Sequence, residues 1–285
     1  MQTYDCEPTL TDRKVIEFCK HGFIALEGVI SDEVNKQTLE SLNTRPPEFS
    51  EPIDLLTTDW FVDGVLLNRE VTGAVRSLLG ANFGMPIQIA NHRGECPAPD
   101  AVGWHCDGYS RHTLEVNHLM MFYLPQECTV EMGPSELVPG SHFLLATSHL
   151  VHHYGNIAGT HKATGTAGTV FLMNHAIWHR RSRPTATSGV RHMLKYYFWR
   201  QTPPVRDWVI EEDFDPGAPI LAFQSTHPNS YRRNMQDCHD AAEQYMWLCG
   251  RHEEFKPLAA GAWPVAHQGI DKQYGIPPSL QRVDS

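Results

Sequence analysis

Hydrophobic and polar positions divide the chain into three stretches of different character. In "TDRKVIEFCK" (residues 11–20), Val15, Ile16 and Cys19 fall at helical spacing behind Thr11, a residue suited to an N-cap, so a helix is expected there. "GFIALEGVIS" (22–31) reads as a strand leading into a second helix over Asp32–Leu42. The proline-rich "RPPEFSEPIDLL" is expected as loop, Trp60 and Phe61 follow without an assignable element, and a third helix is expected over Glu70–Leu79, closed by Gly80. From there to about residue 200 the pattern changes to short apolar runs, "MPIQIANHR", "HLMMFYLP", "GTVFLMN" and "RHMLKYYFWR", separated by Gly, Pro and Asn. Several strands at short spacing point to a β barrel or sandwich. After residue 201 the chain turns proline-rich and acidic. A helix is then expected in "MQDCHDAAEQYMWLCG" (235–250), followed by a loosely held tail.

The expected fold class is therefore mainly β with flanking helices (α+β). Barrels and sandwiches of 285 residues are often one domain. A single domain is expected over 1–285, made of a helical and strand region (1–80), a β core (81–200) and a C-terminal appendage (201–285). A formal net charge of −10 argues against a surface built to neutralise phosphates, so no nucleic-acid partner is expected. No run of 18 apolar residues occurs, which argues against a membrane span, and the N-terminus lacks the basic-then-apolar order of a secretory signal. Seven scattered cysteines without a C-x-x-C pair read as reduced thiols and suggest a cytoplasmic protein.

Candidate chemistry begins at "GWHCDGYS" (103–110). On a strand, His105 and Asp107 share one face and Cys106 takes the other with Trp104. An isolated H-x-D is more often an ordinary solvated pair than a metal site, so further groups must support it. "GTVFLMNHAIWHRRSRP" offers His179 after an apolar run, and "GVRHMLKYYFWR" offers Arg191. Two imidazoles and one carboxylate on one side of a metal leave open positions, which suits non-haem Fe(II); a closed structural zinc site would want a fourth protein ligand. A nearby arginine can hold a carboxylate in bidentate fashion. His175 lies four residues before His179 and would share its face on a strand, so alternation alone does not separate the two.

These segments resemble the phytanoyl-CoA dioxygenase-like family of Fe(II)/2-oxoglutarate-dependent oxygenases. "FCKHGFIALEGVISDEV" is similar to that family's first helix, strand and second helix, "GPSELVPGSH" (133–142) to its "NGPL…VPGSH" turn, "WHCD" to its W-H-x-D, and "FLMNHAIWHRRSRP…VR" to its distal-histidine and arginine segment. The resemblance runs over residues 12–200. It implies a double-stranded β-helix (jelly-roll, cupin-like) core, and a reaction in which O2 and 2-oxoglutarate oxidise a C–H bond of a small-molecule substrate, releasing succinate and CO2. It implies His105, Asp107 and His179 as Fe(II) ligands, favouring His179 over His175, and Arg191 as the partner of the distal carboxylate of 2-oxoglutarate. His142 completes the family's turn and is expected to stabilise it.

Asn91, Arg93, Tyr123 and Tyr197 are further candidates for the co-substrate pocket, and Tyr109, Trp60, Phe61 and Arg181 for the substrate pocket. The run Arg180, Arg181, Arg183 is either an anion contact or a solvated turn. Arg191 follows His179 by 12 residues (191 − 179), about one more than the family pattern, which a longer "RRSRPTATSG" turn accounts for. Without that, Lys195 or Arg200 becomes a rival anchor. The small polar residue usual just after the distal histidine is displaced, with Ser182 the nearest hydroxyl. Retention of Asp107 disfavours halogenation. The rival readings are a zinc or manganese cupin enzyme of another kind, and a non-catalytic binding protein on the same scaffold. Substrate identity and oligomeric state stay open.

Overall fold

The computed structural model describes residues 2–98, 100–107, 114–144, 151–214 and 239–255. Helix α1 spans Asp12–His21. It starts because Thr11 Oγ1 accepts the Lys14 amide at 3.4 Å, and it stops at Gly22, whose left-handed φ of 79° lets its N–H return to Phe18 O. Strand β2 (Phe23–Leu26) is shorter than the sequence pattern suggests. Helix α2 (Asp32–Asn43) is capped by Ser31. A short turn of helix, α3 (Asp59–Phe61), runs into a π-helical stretch (Val62–Leu66). Asn68 then caps α4 (Arg69–Leu79) with its side-chain oxygen, and Gly80 closes it. All three expected N-terminal helices are present to within a residue at each end.

The strands form antiparallel sheets. The seven-stranded sheet joins β1 (Thr3–Tyr4), β3 (Phe83–Gly84), β12 (Leu194–Trp199), β6 (His118–Leu124), β9 (Thr169–Asn174) and β2 in that order, with β4 (Ile89–Asn91) also paired to β12. A three-stranded sheet runs β10 (His179–Arg181), β7 (Ser135–Leu137), β8 (His161–Lys162), and β5 (Gly94–Cys96) pairs with β11 (Gly189–Arg191).

Alternation sorts the seven-stranded sheet into two faces. Leu119, Met121, Tyr123, Val170, Leu172, Leu194, Tyr196 and Phe198 join the core that also holds Val15 and Phe18 of α1 and Val71, Val75 and Leu78 of α4. Met120, Phe122, Leu124, Phe171 and Met173 point the other way and share a second core with Leu137 of the small sheet. The chemistry lies on this second side, between the sheets.

A helix over residues 239–248 lies in the expected C-terminal segment; residues 235–238 of that segment and the tail lie outside the described residues. It is tied to α1 by Asp12, a fully buried carboxylate. Arg206 donates to it at 2.9 and 2.6 Å, Trp208 Nε1 at 2.7 Å, Tyr245 OH at 2.5 Å and the Glu211 amide at 2.7 Å. Burial alone would raise its pKa, but these donors win and bring it down to about 2. No helix among the described residues is long and apolar enough to cross a membrane.

Candidate metal centre

His105 and His179 sit opposite one another on neighbouring extended segments. The His105 amide donates to His179 O at 3.0 Å and the His179 amide to His105 O at 2.8 Å, so the segment carrying the H-x-D extends the small sheet beyond β10. Directly opposed residues share a face, which brings the two rings to 4.3 Å between centroids. Two residues on, Asp107 lies on the same side, with its Oδ2 3.8 Å from His179 Nε2. One ligand atom from each of His105, Asp107 and His179 lies within 4.8 Å of the others. The intervening residues point away. Trp104 and Cys106 are buried with Trp178 in a separate apolar cluster. Arg180 also faces that way, stacked over Trp104 at 4.4 Å and paired with Glu136 at 2.7 Å.

Both imidazoles are set for ligation. His105 Nδ1 lies 3.0 Å from Gly103 O and His179 Nδ1 lies 3.1 Å from Ile177 O. A carbonyl only accepts, so each ring carries a proton on Nδ1, and Nε2 is the atom left for a ligand. Burial, opposed by the pull of Asp107, pushes the His179 pKa down to about 3, so the ring is neutral at neutral pH. Burial works against the Asp107 charge, but His179, the Lys195 ammonium at 2.5 Å and the Tyr197 hydroxyl at 2.9 Å outweigh it and hold the carboxyl well below the usual range. Lys195 and Tyr197 alternate with Leu194, Tyr196 and Phe198 on β12 and so face the gap between the sheets. Phe122, the cross-strand neighbour of Lys195, closes on the His179 ring at 5.7 Å.

His92 belongs to the same surroundings. It is solvent-exposed, yet near enough to the centre for Asp107 and His105 to act on it. Its pKa falls to about 4, first through burial and then through Lys195 and Arg191, with Asp107 and His105 also acting on it. Arg191, 2 % exposed, has Nε and Nη1 without an acceptor among the described residues, and the buried Arg181 Nε also lacks one. Arg181 takes the same face as His179 two residues before it, whereas Ser182 is buried with its hydroxyl donating to Pro134 O at 2.8 Å and Arg183 is exposed.

Several sequence candidates lie elsewhere. Asn91 pairs in register with Leu194, on the helix side of the sheet, and contacts His192 Nδ1 at 3.1 Å. Arg93 forms an ion pair with Glu95. Their expected face is corrected by one residue: the side chain brought to the cleft is His92, between them. Tyr123 also faces the helices, donating to Asn35 Oδ1 of α2 at 2.8 Å. Trp60 and Phe61 pack in the helix-side core, with Phe61 against Tyr123, so the sheet separates them from the histidines. Tyr109 lies outside the described residues. His175 packs against Tyr197 and His118 and is not among the three clustered ligands. His142 Nε2 donates to Cys19 O at 3.1 Å beneath Gly22, where an added Cβ would come within 2.5 Å of its ring. Arg200 is used on the Val116 and Leu78 carbonyls, leaving it no part here. A shallow groove of about 410 Å³ beside α2, lined by Lys36, Asn43 and Gln126 among others, shares no residue with this centre.

Solved structures place this arrangement in a known fold. No protein-family profile matches the chain, and no curated protein does. HygX from Streptomyces hygroscopicus, solved with nickel and 2-oxoglutarate bound, is similar at 16 % identity and a TM-score of 0.54, over 70 % of this chain and 90 % of HygX. The non-haem α-ketoglutarate-dependent epimerase SnoN from nogalamycin biosynthesis is similar at 15 % identity and 0.54, over 67 % and 84 % of the two chains. EctD from S. alaskensis is similar at 18 % identity and 0.55, over 70 % and 80 %. At these identities the likeness establishes a shared fold. HygX is solved with nickel and 2-oxoglutarate and also with iron, and SnoN with Fe3+ and α-ketoglutarate.

Proposed function

We propose that this chain is a non-haem Fe(II)- and 2-oxoglutarate-dependent oxygenase of the phytanoyl-CoA dioxygenase-like kind, built as one domain on a jelly-roll core and acting on a C–H bond of a small metabolite or natural-product intermediate. The observation that carries this reading is the clustering of two imidazoles, each held at Nδ1 by a backbone carbonyl, with one carboxylate, together with a buried arginine whose Nε and Nη1 have no acceptor among the described residues. Three ligands on one side suit a metal that must leave positions open. A buried guanidinium with orphaned N–H groups suits a carboxylate that arrives with the co-substrate. The fold shared with SnoN and with HygX bearing nickel and 2-oxoglutarate adds support.

In this reading His105, Asp107 and His179 hold the iron. Lys195 and Tyr197 fix the Asp107 carboxylate, so that its orientation does not depend on the metal. Arg191 anchors the far carboxylate of 2-oxoglutarate and sets the register of its other end. Phe122 and the apolar side chains between the sheets keep water from the centre. With iron held there, O2 is the oxidant for C–H cleavage, and 2-oxoglutarate is oxidised to succinate and CO2 alongside the substrate. The product formed after cleavage depends on how the substrate is held: hydroxylation is one outcome, and epimerisation, named for SnoN, is another.

The test is Fe(II)- and O2-dependent formation of succinate from 2-oxoglutarate, measured with and without a panel of small-molecule substrates. Turnover in the wild type that His179→Ala abolishes is expected. A protein that binds metal tightly but forms no succinate under any of these conditions would overturn the reading in favour of a zinc or manganese enzyme.

A further inference from the structure

Two guanidinium groups converge over one glycine. Gly94 on β5 faces Arg191 of β11 in register, and its missing side chain leaves room above the strand. A Cβ placed there would lie 3.5 Å from Arg181 Nη1 and 3.7 Å from both Nε and Nη2 of Arg191. Arg191 is almost completely enclosed, and neither arginine has a carboxylate within ion-pair distance among the described residues. Arg181 gives one long hydrogen bond, 3.4 Å, to Asp100 O, while its Nε, like Nε and Nη1 of Arg191, finds no acceptor there. Like charges held this close and partly desolvated repel unless an anion lies between them. The neighbouring arginines are disposed of otherwise: Arg180 is buried on the opposite face, paired with Glu136, and Arg183 is exposed.

We propose that Arg181 is the second arm of a two-guanidinium clamp, and that Arg181 and Arg191 together hold the distal carboxylate of the co-substrate over Gly94. This rests on the oxygenase reading and deepens it. It assigns Arg181 to the co-substrate rather than to an anionic substrate. Two forks give that carboxylate up to four charge-assisted N–H donors, so the pocket favours a compact anionic end group and rejects a neutral amide or ester in its place. Gly94 is a requirement of the same device, because a larger side chain would occupy the space the anion takes.

The probes are 2-oxoglutarate, and glutarate, which has the same distal carboxylate but no keto group with which to chelate a metal. Binding of each is measured calorimetrically, 2-oxoglutarate to the Mn(II)-loaded protein and glutarate to the metal-free protein. Arg181→Met is expected to weaken both by about 10- to 100-fold, the loss of one charge-assisted donor pair, with unchanged metal affinity and an intact thermal transition. Arg183→Ala, a control for loss of charge, is expected to bind as wild type does. Arg181→Met binding both ligands with wild-type affinity overturns the clamp, and so does a wild type that binds neither. If the wild type binds glutarate in an Arg181-dependent way but forms no succinate, the clamp stands and the oxygenase reading fails. If it forms succinate and Arg181→Met changes only the KM of the organic substrate, the oxygenase reading stands and the clamp fails.

Discussion

Replacing Arg191 with methionine should stabilise the co-substrate-free protein while removing its hold on 2-oxoglutarate. The guanidinium is 2 % exposed, and two of its N–H donor groups, Nε and Nη1, meet no acceptor among the described residues. Burial acts to drive its proton off, and Arg181 adds repulsion. Each orphaned buried donor costs about 1–3 kcal/mol. Methionine keeps most of the apolar stem and removes the charge, and exchanging a buried ion for an apolar residue of similar volume gains roughly 1–4 kcal/mol at best. Allowing for imperfect repacking, a net gain of about 1–3 kcal/mol is expected, a rise in Tm of roughly 2–4 °C for each kcal/mol. Ligand should act in the opposite sense. The wild type at a hundredfold excess of 2-oxoglutarate over Kd gains about 2.7 kcal/mol, whereas Arg191→Met should gain almost none. Thermal unfolding with Mn(II) present throughout, with and without 2-oxoglutarate, reads both effects. A variant less stable than wild type without ligand would mean that the guanidinium is a structural group. A variant that keeps the ligand-induced shift would mean that the anchor lies elsewhere.

The Asp12 clasp gives a stability prediction with a defined pH sense. Its folded pKa of about 2 lies below the ordinary aspartate value, so its contribution is complete above about pH 4 and is lost as pH falls towards 2. Wild-type denaturation free energy should therefore drop by roughly 1–2 kcal/mol over that window from this group, and Asp12→Ala, which strands Arg206, Trp208 and Tyr245, should cost about 3–5 kcal/mol at pH 7 and flatten the acid limb. Unchanged acid dependence in the variant would refute the assignment. Tyr197→Phe removes the 2.9 Å hydrogen bond to Asp107 and should weaken Fe(II) or Mn(II) binding by about 10- to 100-fold in direct titration, with 2-oxoglutarate affinity of the metal-saturated protein little changed; equal metal affinity would show that Lys195 alone orients the carboxylate.

The parts of the centre legible in the sequence are those where a side chain's face follows from its immediate neighbours. Trp104–His105–Cys106–Asp107 alternates two buried residues with two that face the cleft, and Trp178–His179–Arg180–Arg181 repeats the pattern, so period two alone orients both segments. Asn91 and Arg93 mislead because their face is set by the pairing of Asn91 with Leu194 across β4 and β12, and one residue of register exchanges the two faces. Tyr123 lies in "HLMMFYL", apolar on both faces because one meets the helices and the other the small sheet, so no polar alternation marks which is which. Trp60 and Phe61 belong to a stretch with no clean period, since α3 passes directly into a π-helical turn. Lys195, expected only as a rival anchor for the co-substrate, and His92, absent from the expected set, each carry a signal of their own. Lys195 is a lone cation in an otherwise apolar and aromatic strand, where only a buried partner explains it. His92 is the inward alternate between Asn91 and Arg93.

The most direct test of the centre is anaerobic titration of Fe(II) and 2-oxoglutarate into wild type, His179→Ala and His175→Ala, with the weak visible charge-transfer absorption of a 2-oxoglutarate chelate on iron as the readout. The expected result is a saturable band in wild type and in His175→Ala, and none in His179→Ala. A band that survives loss of His179 but not of His175 would move the third ligand, and tight metal binding without any band in wild type would contradict the centre proposed for His105, Asp107 and His179.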